Sequence, residues 1–482
     1  MSRQGDGAST GTEDGKRQLS QDWDVVVIGA GNAALAAAMT ARDLGARVLV
    51  LERADRALRG GNTRHTRNVR CVHDAGDDYS TGAYPFEEMW RDLCGVGTGP
   101  SNEDLARLTL RESRTAPQWM SAHGVAWQRP LRGTLHLGRT NRFFLGGGKA
   151  LLNSYHRYAE RRGIAVVYEA DVTGLELAGD HCTGAIVAHR GSHYRVATPA
   201  VVCASGGFEA NLDWLRRYWG DAVDNYHIRG PRFNDGTILR RLLDAGARAA
   251  GDERGFHAVA VDARSPKFDG GIATRIDSIP FGIVVNRDGR RFYDEGQDIW
   301  PKRYAIWGAN LARQPGQIGY VLWDDKVNGQ FLPPMYGRLS APTPAGLAAA
   351  LGLDPRAVAA TVAEYNAAVP DDGWNRFAPD RLDGVAAKEI RPPKSNWALP
   401  LDRPPFYGIP CRPGITFTYR GVAVDAAARV QREDGTAFDN IYAAGEIMSG
   451  NILSTGYMAG FGMTIGTVWG RIAGKGAASH VI

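Results

Sequence analysis

The chain has 482 residues, 44% of them hydrophobic and 23% charged, with 57 Lys and Arg against 52 Asp and Glu for a formal net charge of +5. Such a composition suits a globular protein of two or three domains, and no basic block or RNA-binding signature supports a nucleic-acid partner. Cys71, Cys94, Cys182, Cys203 and Cys411 are scattered without C-x-x-C spacing, which argues against a metal site or a disulfide scaffold and fits a reducing compartment. No apolar run reaches the length of a membrane span, the first residues hold no apolar signal core, and the expected location is cytoplasmic.

In chain order, residues 1–20 read as a disordered tail. In "DVVVIGAGNAALAAAMTARDLGARVLVLE" the pattern predicts a buried strand at Val25 to Ile28, an alanine-rich helix at Ala33 to Leu44 and a second strand at Arg47 to Leu51. Gly29 allows a tight turn between strand and helix. Gly31 lets backbone approach a pyrophosphate at the helix N-terminus, where Asn32 and Ala33 follow, and Ala34 takes the third place of G-x-G-x-x-G/A. Glu52, followed by Arg53, ends the second strand where an acid holds a ribose hydroxyl. The run "RADRALRGGNTRHTRNVRCVHD" then brings six arginines and two histidines into one loop, which calls for anions nearby.

Further on, a helical pattern runs from Asn102 to about His123, and "GGGKALLNSYHRYAERRGIAVVYEADVTGLEL" reads as glycine loop, helix and strand. A buried strand at Ala200 to Ala204 ends in Ser205-Gly206-Gly207, and Asn234 and Asp235 open a helix. From about Glu253 the composition turns to Pro, Trp and Tyr, with helical pieces near Pro344–Leu351 and Pro355–Val369; the strand, glycine loop and helix pattern returns in "DNIYAAGEIMSGNILSTGYMAGFGMTIGTVWGRIAG". The expected organisation is a nucleotide domain at 21–252 and 400–482, built from both ends of the chain, with an inserted domain at 253–399.

Four elements, "VIGAGNAALAAAMTARDLGARVLVLE", "VVCASGGFEAN", "IVVNRDGRRFYDEG" and "NIYAAGEI", together resemble the flavoprotein subunits of the fumarate reductase and succinate dehydrogenase family. Within it, "RGGNTRHTRNVR", "AVDARSPKFDGG" and "RRFYDEGQDIWPKRYAIWG" look most like FAD-dependent tricarballylate dehydrogenases. The resemblance implies an α/β fold, a Rossmann-like FAD-binding domain with an inserted α+β capping domain. It also implies desaturation of a C–C bond α,β to a carboxylate, with tricarballylate oxidised to cis-aconitate; the alternative is a desaturase or redox-neutral flavoenzyme acting on a larger acid or ketone. By resemblance, Gly29, Gly31, Asn32, Ala33, Ala34, Glu52, Arg53 and Asp235 serve the adenosine and pyrophosphate. Gly61, Asn62 and Thr63 pass along the flavin, while Ala204, Gly206 and Gly207 let backbone lie against the adenosine half. Gly445 and Glu446 grip the ribityl chain, and the helix start at Gly460, Gly462 and Met463 faces the flavin ring. Membrane-type members attach FAD through a Ser-His-Thr histidine; the aligned place here is Gly61-Asn62-Thr63, so non-covalent FAD is expected, with His65 nearby.

The departures concern the chemistry. Ile299 stands at the family's ungapped proton-transfer arginine, Phe417 replaces a substrate histidine and Tyr457 replaces a substrate arginine. Arg303 is then the expected base, with Lys302 beside it and Tyr304 as the rival, and Tyr457 is a further catalytic candidate. Carboxylate binding is expected from His65 and Arg67, with Arg64, Arg142 and His257 as further candidates, because the planar guanidinium meets a carboxylate bidentately. His257 reads equally as a core histidine. Reoxidation is expected to need a separate acceptor: an electron-transfer protein, a quinone or oxygen. No metal site is expected.

Overall fold

A computed structural model describes residues 14–130 and 137–482. Its first sheet grows from the βαβ unit of the opening motif: β1 (Val25–Ile28), α1 (Asn32–Asp43) and β2 (Val48–Leu51). The remaining strands are β3 (Ala165–Val167) and β4 (Val201–Cys203), followed after a long excursion by β9 (Arg429–Gln431) and β10 (Ala437–Ala443), giving the order β9-β10-β4-β1-β2-β3. All pairs are parallel except β9 with β10. The central strands are fully buried runs such as VVVI and VLVL, as a parallel sheet covered on both faces requires.

Against α1 lies the C-terminal helix α2 (Phe461–Val481). Gly466, Gly470 and Gly474 recur every four residues on its contact face. A Cβ at Gly470 would sit 2.4 Å from Ala33 O, and one at Gly474 would sit 2.3 Å from Ala37 O. Only bare backbone allows helices so close. The register is fixed by Asn32, whose Nδ2 donates to Met463 O at 3.1 Å and Thr467 Oγ1 at 3.0 Å, setting the two helix N-termini side by side.

The second sheet joins β5 (Phe256–Asp262), β6 (Ile283–Asn286), β7 (Gly319–Asp324) and β8 (Phe406–Thr418), with two short strands, His227–Ile228 and Leu339–Ala341. β8 is its spine: Phe406 to Cys411 pairs with β7, and Cys411 to Thr418 pairs with β5. The sheet therefore extends past the boundary expected at residue 399, and its last strand runs out of the capping core to the wall of the first sheet. Two helices lie at Pro344–Ala350 and Pro355–Ala367, close to the expected spans. The helical stretch after Asn102 breaks into Glu103–Ser113 and Ala116–Ala122, with Pro117 in the first turn of the second. Within the tail expected to be disordered, residues 14–19 are helical and Leu19 is buried in the core, an apolar anchor that composition alone does not weigh; residues 1–13 lie outside the described residues.

Candidate active site

The loops at the carboxyl ends of β1, β2, β4 and β10 converge on one cavity. Gly29 leaves β1 at φ +103°, where a side chain is strained, and a Cβ there would lie 2.5 Å from Ala204 O. Gly31 caps α1, and Asn32 N donates to Thr63 Oγ1 at 2.9 Å, pinning the turn Gly61–His65 over the helix N-terminus. Glu52 accepts from Ala54 N at 2.9 Å and Gly60 N at 3.2 Å, and burial pushes its carboxyl upward. Gly206 lies against Asn234 and Gly445 against Ala33; Gly460, Gly462 and Met463 open α2.

All of these except Ala54 line the cavity, whose empty space, open mouth included, is about 1230 Å³. A smaller adjoining pocket continues past Glu52 to Arg53, Asp171, Phe233 and Asp235. There Arg53 bridges Asp171 at 3.2 Å and Asp235 at 2.6 Å, while Asp235 Oδ1 accepts from Thr237 N, the first residue of the helix Thr237–Asp244, at 3.1 Å. Two clefts joined over two helix N-termini, with glycines wherever a Cβ would intrude, fit FAD.

The far end of the cavity is basic and aromatic. Arg67, Arg229 and Arg275 line it with His65, His257, Tyr304, Phe417 and Tyr457. Arg229 is held through its main chain: its N donates to Ile415 O on β8 at 2.7 Å, and its O accepts from Gly271 N at 2.9 Å. Arg275 is tied by two hydrogen bonds to Asp277, which also accepts from Trp300 Nε1 at 2.9 Å. Nothing comparable meets the other two. Arg67 Nε and Nη2, and Arg229 Nε and Nη1, are buried without an acceptor among the described residues. Burial and the charge of Arg275 pull both guanidinium groups down to about 10.

Among the rings, His257 stacks on Tyr457 with centroids 3.8 Å apart and meets Tyr304 edge-on at 5.5 Å. Burial, then Arg229 and Arg275, hold His257 well below its ordinary range. Tyr457 Oη accepts from Gly462 N at 2.9 Å at the start of α2, leaving its proton free for another acceptor. Burial raises the Tyr304 phenol, against the pull of Arg275, Arg229 and Arg67. His65 Nε2 lies 3.2 Å from Asp269, and burial brings the imidazole down to about 4.

Several expected residues stand elsewhere. Arg303 does not line the cavity; it ends the short helix Trp300–Arg303 with its Nε 3.9 Å from Asp298. Neighbouring positions on a helical turn face different ways, so burying Tyr304 turns Arg303 aside. Arg142 is spent on Asp77, and Arg64 lies outside the lining with a buried Nη1 lacking an acceptor. Ala34 is buried inside α1. Gly207 is outside the cavity lining, and a Cβ there would meet oxygens of Thr418, Glu446 and Glu209. Arg229, Arg275, Asn234 and Thr416 were not foreseen. A faint signal was present in "TRID", where an Arg and an Asp two apart stand among apolar residues.

Residues 24–462 match the family described as FAD binding domain. An NADH:fumarate oxidoreductase of Klebsiella pneumoniae (strain 342) is 26% identical over 97% of this chain, which spans about half the relative's length, 49%. A 4-oxocyclohexanecarboxylate 2-dehydrogenase of Sinomonas cyclohexanicum is 26% identical over 95% of this chain and 93% of that protein. The open conformation of a flavocytochrome c3 fumarate reductase superposes with a TM-score of 0.74 at 22% identity, covering 99% of this chain and 82% of that one.

Proposed function

The chain belongs to the FAD binding domain family, and from that premise we propose that it is an FAD-dependent oxidoreductase that desaturates a C–C bond α,β to a carboxylate, with tricarballylate as substrate and cis-aconitate as product. What carries the reading is the pair of buried arginines, Arg67 and Arg229, whose guanidinium nitrogens meet no acceptor. A buried unpaired cation is costly unless a ligand compensates it. Beside them stand Arg275, paired with Asp277, a neutral His257, and His65 with Asp269 3.2 Å away. The two unpaired guanidinium groups therefore call for an anionic ligand. Arg67 and Arg229 take one carboxylate each, and the third faces Arg275, whose pair with Asp277 uses Nε and Nη2.

Bound FAD supplies the hydride acceptor. The protein's part is to orient the substrate, exclude water behind the Tyr304, Phe417 and Tyr457 wall, and move the proton α to a carboxylate. Tyr304 is the proton-transfer residue in this reading, in place of Arg303. Its neutral phenol suits the saturating direction. Desaturation draws on the phenolate, which Arg275, Arg229 and Arg67 favour, so its rate rises with pH. FAD is held without a covalent bond, and a separate electron carrier, quinone or oxygen accepts the electrons.

A second reading rests on Tyr457, whose phenol takes a hydrogen bond from Gly462 N and keeps its own proton for a carbonyl. With Phe417 beside it, this suits a keto acid such as the substrate named for the Sinomonas relative. The deciding experiment is anaerobic mixing of the FAD-loaded protein with tricarballylate, succinate, citrate and 4-oxocyclohexanecarboxylate, following the visible flavin band. Bleaching by tricarballylate that Arg67→Ala abolishes, with FAD retained, is the expected result. Bleaching by the keto acid alone replaces the first reading with the second, and no bleaching by any carboxylate overturns both.

A further inference from the structure

Beneath the cavity two glutamates meet. Glu209, from the loop after β4, and Glu446, from the loop after β10, are both buried. Asn62 Nδ2 lies 2.7 Å from Glu209 Oε1 and 3.2 Å from Glu446 Oε2, so one amide spans both carboxyl groups. Asn234 Nδ2 adds a bond of 2.6 Å to Glu209 Oε1, and Thr418 N adds one of 3.0 Å to Glu446 Oε1. The remaining oxygen, Glu209 Oε2, meets no N–H or O–H donor among the described residues. It converges with Glu446 Oε1 over Gly207, where a Cβ would lie 2.9 Å from the first and 2.3 Å from the second. The Glu446 carboxyl, once protonated, is placed to supply the missing donor.

We propose that Glu209 and Glu446 share one proton, and that this proton couples FAD binding to pH by holding together the turn Gly61–His65, the loop after β4, the end of β8 and the loop after β10. The physical case is short. Two carboxylates this close, without a cation, cannot both ionise in a buried site. Asn62, Asn234, Thr418 and Gly207, which face them from the surrounding segments, carry no charge. The titratable neighbour is the Tyr457 phenol, which feels Glu446 across the cavity and is itself neutral. Burial pushes both acids upward; Glu209 raises Glu446 further, while the hydrogen bond from Glu446 pulls Glu209 back down. Glu446 also lines the FAD cavity, so a bound cofactor removes the water that would otherwise solvate a doubly ionised pair. Closing the cavity therefore retains or takes up one proton.

The test rests on the FAD assignment and reads binding alone. Cofactor-stripped protein is titrated with FAD across mildly acid to alkaline pH, following quenching of flavin fluorescence, and proton uptake is measured calorimetrically in buffers of different ionisation enthalpy. In the unmodified protein, affinity is expected to fall as pH rises, approaching about tenfold per pH unit with uptake of one proton. Glu209→Gln supplies a permanent donor to Glu446, so its affinity is expected to stay level over the same range with no proton taken up; Glu446→Gln serves if that variant does not fold. A level profile in the unmodified protein, or an unchanged slope in a folded variant, overturns the shared proton. Failure to bind FAD at any pH overturns the cofactor assignment and this inference with it.

Discussion

Replacing Arg229 by methionine is expected to raise stability and lower ligand affinity together, a combination that a purely structural arginine does not give. Arg229 is 5% exposed, and its Nε and Nη1 meet no acceptor. Burial and Arg275 bring its guanidinium from 12.5 to about 10. At 1.36 kcal/mol per pH unit, keeping the group charged in the empty site costs on the order of 3 kcal/mol. The sign follows from proton counts. A cation with a depressed folded value is bound more weakly to its proton in the fold, so the penalty is full at neutral pH and disappears only as pH rises through about 10 toward 12.5. Methionine removes the charge while filling much of the volume. The ligand-free unfolding midpoint should therefore rise, by about 2–4 °C per kcal/mol in a mid-sized domain and less in a longer chain. Loss of two charge-assisted hydrogen bonds to a carboxylate, each worth roughly 1.5–3 kcal/mol, predicts at least about a hundredfold weaker binding. The assay pairs thermal unfolding of the FAD-loaded protein, with and without tricarballylate, with a titration of flavin bleaching. The reasoning is refuted if Arg229→Met destabilises the ligand-free protein while leaving carboxylate affinity intact.

Tyr304→Phe should retain FAD and slow flavin reduction by orders of magnitude, while Arg303→Gln stays near the unmodified rate; the opposite pattern returns proton transfer to Arg303. Acid precipitation should release FAD into the supernatant, and flavin retained on the chain would make His65 the attachment point. His65 at about 4, His156 at about 3 and His257 well below its ordinary range are all depressed first by burial. Their neutral forms support the fold above pH 6.5, and that support is lost as pH falls toward those values. His257→Gln should reduce the acid-side slope of denaturant midpoints, and an unchanged slope removes His257 from the explanation. Gly470→Leu places a side chain where Ala33 O, a backbone atom, stands 2.4 Å away. It should part α1 from α2 and lower FAD affinity sharply; affinity equal to that of the unmodified protein would show that the helix contact does not hold the site.

The cofactor end of the site was legible because its chemistry is written in backbone. Gly29, Gly31, Gly206 and Gly445 sit in the loops at strand ends and Glu52 ends β2, so motif spacing carries them even though Gly29 packs on Ala204, Gly206 on Asn234 and Gly445 on Ala33. The substrate end depends on chain segments far apart. Arg67 lies between the flavin-side turn and Phe144, Arg229 is held by Ile415 O on β8 and Arg275 lies beside β5, which pairs with β8; β8 itself is hidden by Pro410 and Pro413, which read as breaks in a strand. Its two prolines lie opposite Tyr320 and Ala260. The choice between Arg303 and Tyr304 was equally out of reach, since adjacent residues differ by one step of helical rotation and only packing against His257 and Trp300 decides which one turns inward. The acid pair shows the same logic in reverse. Glu446 could be read from its motif, but Glu209 acquires its role only where Gly207 lets both carboxyl groups converge, a contact between the loops after β4 and β10. Local pattern thus identifies the glycine turns and the acid of the βαβ unit, whereas the cluster of Arg67, Arg229 and Arg275 emerges only from long-range pairing.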